Sequence, residues 1–237
     1  MSDTPEPAPK LLTNRPIDGE ISMIKAHLME MSDWSLQMVQ QGMAAMKAAD
    51  PAAAARVVGM DDRLDAFDVD IEHEAIRILI ARQPAARDAR TLGAVLKVNT
   101  YLDRIGRLGL DVAKYVRDTP VKPPLPQWSL LEMMCEQGCS MVRASMSAFT
   151  TGDVHLATQV YDADDAVDEL NRQVLKECIH GLQGDPPEPP ELVIYVLISR
   201  HLERIADNAC KIAEKTIYME TGHRRREFLT PNNKVAL

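Results

Sequence analysis

Apolar residues recur every three or four positions along most of this chain, which is the spacing that places them on one face of an α-helix. The first such stretch starts at Glu20, and its apolar positions include Met23, Leu28, Leu36, Val39 and Met43. Prolines, glycines and Asp–Pro pairs interrupt the pattern and divide it into segments. The pattern predicts six long helices, at about 20–49, 51–82, 86–118, 127–150, 154–182 and 190–221.

Two parts of this pattern occur twice, which indicates an internal duplication. The segment DDRLDAF at 61–67 aligns with DDAVDEL at 164–170, and YLDRIGRLGLDVAKY at 101–115 aligns with HLERIADNACKIAEK at 201–215. Because each half then holds three helices, we predict an all-α fold of two tandem three-helix bundles related by internal pseudo-symmetry. The predicted organisation is a disordered segment at 1–18, repeats at 19–120 and 121–222, and a basic tail at 223–237.

The composition agrees with a helical fold and excludes several functional classes. Aromatic residues make up only 4% of the 237 residues, while there are 13 methionines, which favours helices over strands. The net charge of −8 disfavours a nucleic-acid partner, since phosphates need a basic surface. No apolar run approaches the roughly 18 residues that span a bilayer, and the acidic, proline-rich start does not resemble a signal peptide. We therefore expect a cytoplasmic protein, whose four cysteines (Cys135, Cys139, Cys178 and Cys210) form no CxxC pair and are reduced thiols.

Pairs of carboxylates on the predicted helices are the main chemical signal. Glu203 and Asp207 lie four positions apart at the border of the apolar face of the last helix, although like charges repel there. Asp165 and Asp168 lie on the preceding helix. Carboxylates that converge without nearby bases take up a proton or bind a cation. The sequence thus predicts metal ligands at these four residues, with iron, manganese, magnesium or zinc as candidate ions; the alternative is a solvated acidic face in which Glu203 pairs with a basic residue of its own helix.

The first half carries the same frame with one change of charge. Asp62, Asp65 and Asp103 are the counterparts of acids in the second half, but Arg107 stands in the position of Asp207. Arg107 is placed to form an ion pair with Asp103 on the next turn, and a cation inside a metal shell is unfavourable. We therefore expect one good metal site, in the C-terminal half, and a weakened or salt-bridge-substituted site in the N-terminal half.

Motifs of common catalytic sites are absent from the sequence. It contains no GxxxxGK[ST], GxGxxG, GxSxG or HExxH, so nucleotide hydrolysis, dinucleotide binding and nucleophilic hydrolysis have no support. Glu177-x-x-His180 and Glu220-x-x-His223 have the spacing of di-iron bundles. Both lie at helix ends, where a histidine interacts favourably with the helix dipole. We expect that the protein is not an enzyme.

Two segments resemble the signatures of a known family. SRHLERIADNACKIAEKTIYMETG at 199–222 and LKVNTYLDRIGRL at 96–108 are similar to the two signatures of PhoU proteins, the regulators of phosphate uptake. The resemblance covers roughly residues 20–222. It implies an all-α, cytoplasmic and often dimeric accessory protein.

The resemblance also implies partners and a metal motif. PhoU proteins connect the ATPase subunit of a phosphate ABC transporter to a membrane sensor histidine kinase, and they repress the phosphate-starvation response when phosphate is plentiful. Some members bind multinuclear iron or other metals through an E/D-x-x-x-D motif in each repeat, which Glu203 and Asp207 satisfy, whereas Asp103 satisfies only its first half because of Arg107. The resemblance therefore favours a negative regulator that forms a homodimer. Two alternatives remain, namely a protein that handles iron or manganese, and an accessory protein of a different phosphate transporter.

Overall fold

A computed structural model describes residues 15–119, 125–183 and 189–223, and within these ranges all regular structure is α-helical. The helices are α1 (Pro16–Ala48), α2 (Pro51–Val58), α3 (Asp61–Arg82), α4 (Ala86–Asp118), α5 (Trp128–Thr151), α6 (Val154–Gly181) and α7 (Pro189–Thr221). The predicted all-α fold of two tandem units is confirmed. The bounds of α4 are those that the sequence predicted, whereas the basic tail beyond residue 223 lies outside the described residues.

The first helix begins earlier than its apolar pattern indicates. Pro16 occupies its first turn, where a missing N–H is harmless. The Asp18 carboxylate accepts a hydrogen bond of 3.0 Å from the backbone N–H of Arg15, which satisfies a donor at the helix start. Residues 16–18, expected to be disordered, therefore belong to α1, and residues 1–14 lie outside the described part of the chain.

The segment predicted as one helix over 51–82 is two helices. Gly59 and Met60 form a turn between α2 and α3. The indole N–H of Trp34 donates to the carbonyl oxygen of Met60 at 3.1 Å, so the turn is tied to α1. The interruption leaves α3 alone to carry the acidic segment.

Side-chain caps fix corresponding helix starts in both halves. Asp50 accepts hydrogen bonds from the N–H groups of Ala52 and Ala53 at the start of α2, at 2.9 and 3.0 Å. Asp153 accepts one from Leu156 at 2.9 Å at the start of α6. Gly152 before it has a φ of 75°, which a glycine adopts without steric strain, so α5 ends there.

The two units share one continuous apolar core. In the first unit α4 packs against α1, α2 and α3, and in the second α7 packs against α5 and α6. The units meet along α4–α7 and α1–α5. The axes of α1 and α4 come so close that a Cβ atom added to Gly109 would lie 2.5 Å from the backbone nitrogen of Val39.

Helices α4 and α7 are counterparts with an offset of 100 residues. The burial pattern repeats at this offset, since buried Leu102, Ile105, Val112 and Ala113 correspond to buried Leu202, Ile205, Ile212 and Ala213. Asp103 and Glu203 therefore occupy equivalent positions, and the side chain of each retains 20% of its exposure. The two acid frames can be compared residue by residue.

Candidate functional site

In the N-terminal half, Arg107 gathers three carboxylates from two helices. Its Nε donates to Asp103, one turn earlier on α4, at 3.0 Å. Its Nη1 donates to Asp61 at 3.2 Å, and its Nη2 forms a very short hydrogen bond with Asp65; both aspartates lie on α3. The predicted salt-bridge substitution is therefore present, and it is broader than the Asp103 pair alone.

The electrostatics of this N-terminal acid cluster (Asp61, Asp65, Asp103 and Arg107) follow from those contacts. Burial opposes the charged form of Arg107, but the surrounding carboxylates outweigh it and raise the pKa of the guanidinium. Arg107 is thus fixed as a cation and offers no ligand atom to a metal ion. The carboxylates of Asp61, Asp65 and Asp103 are therefore already neutralised in part by the guanidinium of Arg107.

Asp68 borders the same cluster and has a separate anchor. Burial raises the pKa of the Asp68 carboxyl, and the charges of Asp103, Glu72 and Asp65 add to this effect. The side-chain amide of Asn99 donates to the Asp68 carboxylate at 2.7 Å and to its backbone carbonyl at 2.9 Å. Asn99 therefore ties α4 to α3 just beside the cluster.

In the C-terminal half, no basic side chain of the described residues takes the place that Arg107 has among the equivalent carboxylates. Burial raises the pKa of Glu203, and Asp207, Asp168 and Asp164 raise it further, against the opposing charge of Arg200. Burial also raises the pKa of Asp164, with added contributions from Asp168 and Asp207. These four residues of α6 and α7 form the C-terminal acid cluster. Its mutual repulsion favours uptake of a proton or a cation.

One basic side chain contacts the edge of this cluster. Nη1 of Arg200 donates to Oε1 of Glu203 at 3.1 Å. This pair lies within one helix, as the alternative of a solvated acidic face expected, and the Arg200 side chain is 60% exposed. An exposed i,i+3 pair contributes little stability, so it leaves most of the repulsion in place.

Some of the acids predicted from the sequence lie in the two acid clusters, and others do not. Asp65 and Asp103 meet at Arg107, while exposed Asp62 has no ion pair with Arg107. Asp168 lies near Glu203, and exposed Asp165 acts on Asp164 rather than directly on Glu203.

Sequence reasoning left Asp61 and Asp164 out of the candidate ligands. Each lies four positions before an aspartate that was chosen, Asp65 or Asp168. This is the same spacing that singled out Glu203 and Asp207, and residues four apart share a helix face. The i,i+4 spacing on both helices was therefore the available signal.

The donor atoms of the two acid clusters can be compared with the ligands that metal ions prefer. Carboxylate oxygens suit hard and intermediate cations, so the donor types of the C-terminal acid cluster fit, whereas Arg107 makes the N-terminal acid cluster unfit. Within the described ranges, no three His, Cys, Asp or Glu side chains are arranged to hold an ion. Binding at the C-terminal acid cluster therefore requires its carboxylates to turn towards one another.

One family model matches both units, in each of which the last two helices carry the acids. A model described as PhoU domain matches residues 28–116 and again 131–216. The chain belongs to the PhoU family. The two matches coincide with the two structural units, so the internal repeat is a repeat of PhoU domains.

Two relatives align with nearly the whole chain. A "Phosphate-specific transport system accessory protein PhoU homolog" of Xylella fastidiosa, strain Temecula1, is 27% identical over 217 residues, which are 92% of this chain and 89% of the relative. The "PhoU homolog 1" of Thermotoga maritima is 25% identical over 215 residues, 90% of this chain and 92% of the relative.

Solved PhoU structures have the same fold. PhoU of Pseudomonas aeruginosa superposes with a TM-score of 0.81 at 29% identity, over 87% of this chain and all of that one. The phosphate transport system regulatory protein PhoU of Streptococcus pneumoniae gives 0.81 at 22% identity, over 88% of this chain and 98% of that one, which shows the shared fold. None of the described helices is long and apolar enough to cross a membrane.

Proposed function

We propose that this PhoU-family chain is an accessory protein of phosphate transport and a negative regulator of the phosphate-starvation response. It acts by binding proteins, and it links the ATPase subunit of a phosphate ABC transporter to a sensor histidine kinase. The observation that carries the proposal is the match of both structural units to the PhoU domain, along with relatives that are named as accessory proteins of phosphate-specific transport. Regulation by contact needs no catalytic residue, and the sequence contains no GxxxxGK[ST], GxGxxG, GxSxG or HExxH motif.

A long, rigid helical surface supports this role. Three of the helices, α1, α4 and α7, have 33 residues each and extend about 50 Å. Two units with similar helices also suit a protein that engages two partners, or two copies of one. The proposed state in the cell is a cytoplasmic homodimer.

A genetic test addresses the regulatory role. Deleting the gene in its source organism should raise a phosphate-starvation reporter in phosphate-rich medium, and the intact chain supplied in trans should restore repression. An unchanged reporter in the deletion strain would overturn the proposal. The same strain grown without phosphate is the matched control, since repression is not expected there.

A biochemical test addresses the partners. The tagged full chain, cross-linked in cells, should recover the phosphate transporter ATPase and a sensor histidine kinase in larger amounts than an unrelated tagged helical bundle does. Recovery of the ATPase of a different phosphate transporter, without the kinase, would instead favour an accessory protein of that transporter.

The C-terminal acid cluster favours a second candidate function, the handling of metal. If bound, the ion would be held by Asp164, Asp168, Glu203 and Asp207, and it would neutralise their repulsion. Elemental analysis of the purified chain distinguishes the two functions when combined with a turnover assay. Redox-active iron or manganese with oxidase turnover would favour metal handling, whereas bound metal without turnover is compatible with a regulator whose shape or stability the metal tunes.

A further inference from the structure

A groove at the α4–α7 seam is lined by three cationic side chains and one carboxylate. It has a volume of about 540 Å³ and lies between Arg90, Gly93 and Lys97 of α4 and Glu214, Lys215 and Tyr218 of α7. We call it the basic groove. Its size lies within the range of sites for small molecules, and none of the residues that line it belongs to either acid cluster.

Three cations face a single carboxylate in the basic groove, in a protein whose net charge is −8. Among the described residues, neither Lys97 nor Lys215 has an ion-pair partner within 4.0 Å. Arg90 donates from Nε to the carbonyl oxygen of Met219 at 3.3 Å, near the end of α7. That bond holds the guanidinium in place and leaves its two terminal nitrogens without a hydrogen-bond partner in the described part of the chain.

Lys97 also borders a neighbouring groove lined by Asp68, Glu72 and Asp103. It makes no ion pair with any of these acids, so they do not neutralise it by direct contact. Arg90 and Lys215 line the basic groove but not this neighbouring groove, whereas Gly93 and Lys97 line both. Two of the three cations therefore lie outside the acid-lined groove, and the third, Lys97, lies between the two grooves.

The pseudo-symmetric counterpart shows that this charge is not a consequence of the repeat. At the offset of 100 residues, Arg90, Gly93 and Lys97 correspond to Pro190, Val193 and Leu197, and Lys215 and Tyr218 correspond to Tyr115 and Asp118. All three cations are thus replaced at the other end of the seam. Gly93 also keeps the floor open, since an added Cβ would have no atom within 4 Å.

The spacing of the cations indicates the kind of ligand. Arg90 and Lys97 lie two turns apart on α4, roughly 10 Å along its axis. A small anion with a single charge is therefore too short to contact both side chains. Arginine and lysine are the side chains that bind phosphate oxygens by charge-assisted hydrogen bonds. The alanines of the floor and the ring of Tyr218 provide apolar surface beside the charges.

We propose that the basic groove binds a small molecule with two or more linked phosphate groups, either an inorganic polyphosphate or a nucleotide. The phosphates contact Arg90, Lys97 and Lys215, and in the nucleotide case the base lies against Tyr218. The ligand bridges α4 and α7 and so fixes the relative position of the two units. This goes beyond the regulatory function proposed above and does not depend on it.

Calorimetric titration of the full chain without added metal tests the proposal with three probes, namely pyrophosphate, adenosine triphosphate and orthophosphate. Pyrophosphate or adenosine triphosphate should bind with a Kd below about 1 mM, and orthophosphate should bind at least tenfold more weakly. Similar affinity for pyrophosphate and adenosine triphosphate assigns an inorganic ligand, whereas tighter binding of adenosine triphosphate assigns a nucleotide. Failure of both to bind would overturn the proposal, as would equal binding of orthophosphate.

Charge variants locate the site. Lys97→Gln with Lys215→Gln should raise the Kd at least about tenfold, because two charge-assisted contacts are lost, while the double lysine-to-arginine variant should retain affinity. The matched control is Arg104→Gln with Lys176→Gln, which removes the same charge from exposed positions outside the groove. Equal affinity of the glutamine pair and the control would refute the location.

A shape variant and a vesicle assay complete the test. Gly93→Val adds a side chain to the floor of the groove, where an added Cβ meets no atom within 4 Å, and it should abolish binding of the probes without lowering Tm. Unchanged affinity would contradict the proposal. Vesicles of phosphatidylglycerol and phosphatidylcholine are a further probe, and binding to these alone, with no response to soluble phosphates, would show a lipid-binding surface instead and overturn it.

Discussion

Arg107 donates a hydrogen bond of 3.0 Å from its Nε to the carboxylate of Asp103, one helical turn earlier on α4. The equivalent positions on α7 hold Glu203 and Asp207, two acids in place of an ion pair. The two PhoU domains therefore treat the same acidic frame in opposite ways. One neutralises it with a cation of its own chain, and the other leaves carboxyl groups with raised pKa values, Glu203 among them.

Exchanging this cation for an acid should create a metal site in the N-terminal half. In Arg107→Asp, the three partner carboxylates lose their cation and gain a fourth carboxylate, so we expect additional bound manganese or iron by elemental analysis. Without metal, the variant should lose about 1 kcal/mol of unfolding free energy, since the ion pairs are partly exposed. The control Arg104→Asp makes the same exchange at an exposed position of α4. Equal metal content in the two variants would show that Arg107 does not prevent binding.

Removing the acids of α7 should have the converse effect. Glu203→Ala with Asp207→Ala should abolish metal binding in the C-terminal half with nearly unchanged helix content by circular dichroism. The metal-free variant should be more stable by about 0.2–0.5 kcal/mol, because a repulsive i,i+4 pair is removed. Asp162→Ala with Glu177→Ala, two exposed acids of α6, is the matched control. If the metal stoichiometry survives in the α7 variant, the assignment of the ligands is wrong.

The sequence predicted the helices well where the local signals were strong. The Asp–Pro pair at 50–51 separates the first two predicted segments, and Asp50 accepts backbone hydrogen bonds at the start of α2. The break at Gly59 and Met60 was missed, because the apolar spacing continues through it. Val57 and Val58 before the glycine, and two aspartates after it, were available signals for a helix end and a new start.

The site was harder to predict because it depends on the rotation of one helix against another. Periodicity places Asp62 and Asp65 on the same helix, but only the packing of α3 on α4 decides which of them contacts Arg107. The basic groove was not predicted for the same reason, as Arg90 and Lys215 are 125 positions apart. Charges that converge from distant segments have no signature in a single sequence.

The close approach of α1 and α4 predicts that Gly109 is intolerant of any side chain. A Cβ there would lie 2.5 and 2.6 Å from the backbone N and Cα atoms of Val39, and backbone atoms cannot move away without separating the helices. Gly109→Ala should therefore lose about 1–3 kcal/mol of unfolding free energy, measured by urea denaturation. Gly93→Ala is the control, because its Cβ meets nothing within 4 Å and alanine favours the helix by roughly 0.5–1 kcal/mol. Similar stability of the two variants would mean that the helices are not packed this closely.

His201, which lies on α7 and contacts Tyr115 of α4, should make the stability of the protein depend on pH. The ring of His201 stacks on Tyr115 with centroids 5.9 Å apart, and its Nε2 lies 3.2 Å from the tyrosine hydroxyl. Its Nδ1 is buried without a hydrogen-bond partner in the described residues. Burial lowers the pKa of His201, and Arg204 acts in the same direction, while Asp111 opposes them.

Because the folded state favours the neutral ring, the stability that it contributes is fully present above the unfolded pKa of about 6.5 and is lost as the pH falls below that value. We expect Tm to fall on acidification from pH 7 to 5, and to fall less in His201→Gln, which cannot titrate. His155→Gln, at an exposed position of α6, is the matched control and should follow the unmodified chain. Parallel Tm curves for the His201 variant and the unmodified chain would show that this histidine is not the titrating group.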